Sequence, residues 1–123
     1  MTNEEFICRI RKAVYEPAVE GSIAILEQPP GRRPPPALVE LSLWYKRLSP
    51  EDKQHLRATI QLAARKAVFG MLTVLDGERS ICEAEEDRGS LELRFNTKRQ
   101  SVLLNDPAGE PLHDIFGNLV PPW

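Results

Sequence analysis

"AVFGMLTVLDGERSI", residues 67 to 81, decides the fold: an almost wholly apolar run that stops at Asp76-Gly77. Asp-Gly can be the tip of a β-hairpin, the end of a buried helix, or part of a polar site with Glu78 and Arg79. A hairpin needs strands on both sides, and the residues upstream are not strand-like. Leu56, Ile60, Ala63, Ala64, Ala67, Val68, Met71, Leu72 and Leu75 follow the three-and-four spacing of a helix without a break. Gly77 therefore reads as the left-handed residue that ends it. "MLTVLDG" alone would also fit a buried strand; the longer register decides against that.

Upstream, "SPEDKQHL" starts this helix. Ser49 suits the N-cap, Pro50 the first helical position, and Glu51 and Asp52 the first turn, where the helix dipole favours negative charge. Its second half is apolar on every side, which predicts a helix over about 50–76 buried all round as the central element of the core. Gly70 within it predicts a close-packing point.

Outward from this centre, Thr2 and Glu5 have capping-box spacing, and Phe6, Ile10 and Val14, with Ile7 beside them, make one apolar face of a first helix over about 3–16. Pro17 predicts a kink or a second helix, and Val19, Ile23 and Leu26 carry the pattern to about Gln28. "PPGRRPPP", residues 29–36, has five prolines in eight positions and reads as a stiff internal connector, with a proline-rich ligand flanked by Arg32 and Arg33 as the alternative. Pro36 opens a third helix with Leu38, Leu41, Trp44 or Tyr45, and Leu48 on its apolar face. "CEAEEDRG" is an aperiodic acidic loop. "SLELRF" and "SVLLN" then form a β-hairpin over about 90–104, whose apolar face must pack on the helices or on another chain. Leu112, Ile115 and Phe116 suit a short terminal helix ended by Gly117, and Trp123 either docks into a groove or marks a contact surface. The expected fold is a single α+β domain over 1–123: three to four helices, a hairpin and a short C-terminal helix.

Composition narrows the chemistry. The chain has 123 residues, 41% hydrophobic and 28% charged, which is ordinary for one globular domain. Its net charge of −2 is unevenly spread: residues 1–70 hold 11 Lys/Arg against 8 Asp/Glu, and 71–123 hold 5 against 10. Neither half has the basic, aromatic-interleaved surface that nucleic acid favours. No signal-peptide pattern opens the chain and no uninterrupted apolar run reaches the ~20 residues of a membrane span, so the expected location is the cytoplasm. Cys8 and Cys82 lack CxxC-type spacing and are expected to be reduced, buried structural thiols. The two histidines, His55 and His113, have no ligand spacing with the cysteines, and neither a P-loop, a G-x-S-x-G elbow nor a G-x-G-x-x-G motif occurs. No cofactor or metal is expected.

Two clusters remain. Asp76, Glu78 and Arg79 read as a salt-bridged helix end, or, with His113 and Asp114, as a polar site. His113-Asp114 resembles a metal-phosphohydrolase dipeptide, but that chemistry needs further ligands. Glu83, Glu85, Glu86 and Asp87 crowd four carboxylates into one loop without the calcium-loop pattern, and offer a docking face for a basic partner.

"FGMLTVLDGERSI" together with "LLNDPAGEPLHDIF" resembles a group of small uncharacterised bacterial proteins over most of residues 35–118. The resemblance implies a helical front and a two-stranded back, fits stand-alone interaction proteins such as toxin-immunity partners, and carries over no catalytic residue. Three functional expectations follow: a protein-binding module whose acidic C-terminal half meets a basic protein partner such as a toxin; a small enzyme built on Asp76, Arg79, His113 and Asp114; or a homodimer joined at the hairpin edge.

Overall fold

The computed structural model describes residues 1–122, so the expectation for Trp123 lies outside the described residues. The chain runs α1 (Asn3–Ile10), a π-helical segment (Arg11–Tyr15), α2 (Glu16–Glu27), α3 (Pro36–Lys46), α4 (Pro50–Leu75), a 3-10 turn (Glu85–Asp87), β1 (Arg94–Asn96), β2 (Ser101–Leu103) and α5 (Leu112–Leu119). This is the α+β arrangement expected, with α4 at its centre. α5 and the π segment pack against α4, α2 lies along it, α1 rests on α5, and α3 packs outside α2.

Local chemistry sets the helix ends. The Glu5 amide donates to Thr2 Oγ1 and the Thr2 amide to Glu5 Oε2, both at 3.1 Å, closing the capping box. The Asp52 amide donates to Ser49 Oγ at 3.1 Å. At the far end of α4, Gly77 has φ +79°, its amide bonds to the Val74 carbonyl and the Glu78 amide to that of Thr73, each at 3.1 Å. Those two bonds make a Schellman close, and they settle the Asp-Gly question for a helix end.

Pro17 stands in the first turn of a second helix, α2, as expected, and the junction with α1 is a widened turn. The Glu16 amide reaches back five residues to the Arg11 carbonyl, a π turn placed immediately before a residue that has no N–H and whose ring crowds the preceding turn. The wider turn shifts the inward face by one residue. Tyr15 packs on the core and Val14 is left exposed, against the Phe6, Ile10, Val14 face that uniform helical spacing predicts.

The main core joins Ile7 of α1, Leu72 of α4 and Leu112, Phe116 and Val120 of the C-terminal segment, with Phe6, Tyr15, Val68, Phe69 and Leu93 packed around them. A smaller apolar seam holds Val19, Leu26 and Tyr45 between α2 and its neighbours. The second half of α4 is buried on one side only. Leu72 and Thr73 face inward, whereas Met71 is 60% exposed, because α2, α5 and the π segment pack on one side of α4 and leave the Met71 side open. By length and composition α4 would suffice to cross a membrane; in this fold it is the helix on which the others pack.

Three further details differ from expectation. α3 buries Ser42 and Tyr45, with the Ser42 hydroxyl donating to the Leu26 carbonyl at 2.6 Å, and leaves Leu41 and Trp44 outward. Gly117 lies inside α5, where a side chain would meet the Phe69 ring at 3.4 Å, so it allows close helix packing and does not end the helix. Both cysteines are free, and Cys8 is exposed, not buried. The proline-rich segment bridges α2 and α3 as a connector. Gly31 at φ +86° and the incorporation of Pro36 into α3 interrupt any continuous polyproline stretch.

Candidate functional site

α4 ends where α5 begins, and Asp76 joins the two. Its Oδ2 accepts from the His113 backbone amide at 2.9 Å and lies 2.6 Å from His113 Nδ1. With the carboxylate ionised, Nδ1 is the donor. Pro111, the cap residue of α5, has no side chain that can accept a hydrogen bond, so Asp76 supplies from another helix the acceptor that a helix start requires. Asp76 is 6% exposed and His113 15%. The remaining ring nitrogen of His113 lies 3.4 Å from Asp114 Oδ1, and the Phe69 ring meets the imidazole edge-on at 5.5 Å.

Three of the four residues named for a polar site therefore come together: Asp76, His113 and Asp114. Arg79 does not join them. Its guanidinium lies over Gly70, 2.9 Å from where a β-carbon would stand, which is the close approach that Gly70 permits. The expected salt-bridged helix end is absent among the described residues: Asp76 pairs with His113, and neither Glu78 nor Arg79 forms an ion pair. Both ring nitrogens of His113 face carboxylates, and no Ser, Thr or Cys side chain bonds to the dyad. The arrangement acts as a latch between two helices.

Beside the latch opens a cleft of about 330 Å³, lined by Asp76, Arg79, Ile81, Cys82, Arg88 and Leu91 among others. Cys82 and Arg88, which bracket the acidic loop, line the cleft, while Glu83, Glu85, Glu86 and Asp87 lie outside its lining. Local bonds shape that loop: the Cys82 amide donates to Ser80 Oγ at 3.1 Å and the Cys82 thiol to the Asp87 carbonyl at 3.2 Å. Glu83, Glu85, Glu86 and Asp87 are all exposed, and none makes an ion pair among the described residues. Ile81 is 70% exposed at the same rim.

Leu91 and Asn105, which bracket the hairpin, line the other side. Arg94 pairs with Leu103, Phe95 with Val102 and Asn96 with Ser101, so the ladder is shorter than the 90–104 span. Of Leu91, Leu93 and Phe95 only Leu93 reaches the core, while Leu91 and Phe95 stay exposed; just past the return strand Leu104 is buried. A residue that sequence reasoning missed holds the hairpin in place. Asn105 Nδ2 donates to the carbonyls of Leu75 at 2.7 Å and Leu91 at 2.8 Å, while its Oδ1 accepts from the Leu93 amide at 2.8 Å. Its one sequence signal is a polar residue closing "SVLLN" before Asp-Pro. Asn105→Ala is expected to cost about 2 kcal/mol, since three backbone groups lose partners, and to raise hydrogen exchange at Leu93 and Leu104 while α1 stays protected. Equal exchange increases across all elements would show that Asn105 holds no separate unit.

Comparison with protein-family models, with curated proteins and with solved structures returns no match. Residue roles in this chain rest on its own geometry.

Proposed function

We propose that the chain is a protein-binding module that docks a basic protein partner on the face formed by the acidic loop and the hairpin. The observation that carries this reading is the loop itself: locally hydrogen-bonded, with four carboxylates that make no ion pair among the described residues, beside a cleft lined by the exposed apolar side chains of Ile81 and Leu91. Carboxylates at a rim steer a basic partner and select against acidic ones, and desolvated apolar groups inside that rim supply the affinity. A toxin-immunity pairing is the narrower form of this proposal, because such partners meet through complementary charge.

The test is capture from lysate of the source cells with the tagged chain and with a variant carrying Glu83→Ser, Glu85→Ser, Glu86→Ser and Asp87→Ser. One stoichiometric protein retained by the parent, at least about tenfold weaker with the variant and increasingly so at low salt, is the expected result. Equal capture by both forms would remove the loop from the interface and overturn the reading.

A further inference from the structure

We propose that the outward face of α3 is the interface of a homodimer, in which the α3 helices of two copies pack antiparallel about a two-fold axis. α3 turns Ser42 and Tyr45 toward α2 and leaves a stripe at helical spacing on the opposite side: Ala37, Glu40, Leu41, Trp44 and Arg47, which line one shallow groove. Trp44 is 40% exposed, Leu41 48% and the flanking Leu43 57%, an apolar load that single scattered surface residues do not explain.

The whole chain exposes 8996 Å² against about 6,700 Å² for a compact monomer of 13.9 kDa, a surplus shared with the proline-rich connector and the loop over 76–93. One property selects a second copy as the occupant, and it is charge. The stripe carries an acid, Glu40, toward its N-terminal end and a base, Arg47, two turns later, and neither forms an ion pair within the chain among the described residues. The same stripe run backwards matches both ends at once. A two-fold pairing centred between Leu43 and Trp44 sets Glu40 of each copy beside Arg47 of the other and places the two Trp44 rings at the centre, where an aromatic anchor contributes most.

The two-fold makes the experiment specific. In sedimentation equilibrium of the full chain, the parent is expected to dimerise, and Glu40→Arg and Arg47→Glu each to raise the dimer dissociation constant about tenfold or more, since each reversal sets like charges together twice. An equimolar mixture of the two variants is expected to regain the dimer as a heterodimer, because both cross-pairs become opposite in sign. Both side chains are exposed, so circular dichroism of each variant should match the parent, and Trp44→Ser supplies a second disruption that no charge variant rescues. A parent that stays monomeric overturns the proposal and leaves the stripe to a different protein. So does a dimer indifferent to both reversals, which would sit at another surface such as the hairpin edge, and so does a mixture that fails to recover.

Discussion

Phe116→Ala is expected to lower the unfolding free energy by about 4 kcal/mol, within the usual range for emptying a buried aromatic site. Phe116 is fully buried at the junction of α1, α4 and α5, and its ring meets Tyr15 edge-on at 6.1 Å. Alanine there loses the transfer free energy of the ring and leaves a void walled by Ile7, Leu72 and Leu112, which three separate helices cannot collapse to fill. For a domain whose whole net stability is about 5–15 kcal/mol this is a large fraction. Urea unfolding measures it, with Phe95→Ala on the exposed hairpin as the comparison. Equal midpoints for the two variants would place the core elsewhere.

Asp76→Ala is expected to cost about 3 kcal/mol, because one deletion strands two donors on His113, the backbone amide and the ring N–H, in a nearly enclosed place. Asp76→Asn should cost less, since the amide oxygen still accepts one bond. A double-mutant cycle with His113→Ala isolates the pair, and a coupling of about 1–2 kcal/mol is the expected value for contacts in one network. Additive losses would mean that Asp76 acts on something other than His113. The same cycle bears on function, for a latch loses stability when broken and a catalytic dyad need not.

What could be read from the sequence was whatever closes within a few residues. The capping box of Thr2 and Glu5, the Ser49 cap and the left-handed Gly77 each complete their hydrogen bonds inside one or two turns, so spacing alone locates them. Asp76 and His113 were named as residue types that do chemistry, but nothing local shows that they bond to each other across 37 positions. Asn105 reaches Leu75 across 30 positions and was missed for the same reason. Apolar patterning failed in a different way. α3 has large apolar side chains around most of its circumference, so periodicity could not say which side meets α2, and the all-round apolar end of α4 suggested enclosure that its neighbours do not provide. An apolar side chain tells that burial is favourable; it does not tell whether this chain or another provides the cover.

The π turn at Arg11–Tyr15 has a consequence for how the arm made of α2 and α3 could change over time. In an uninterrupted α-helix, Ile7 and Val19, twelve positions apart, would point about 120° away from each other. With one residue absorbed by the wide turn they align to within about 20–30°, and Leu26 follows two turns later, so one inward stripe serves both the main core and the seam under α3. A single-codon deletion between Arg11 and Tyr15 would restore regular helix while swinging the whole arm by about 100° around its axis. Every side chain of the α3 stripe would survive such an event, and its direction would not. The geometry with which this molecule presents α3 is thus set by an inserted residue some twenty positions away, where a screen of surface substitutions would never look.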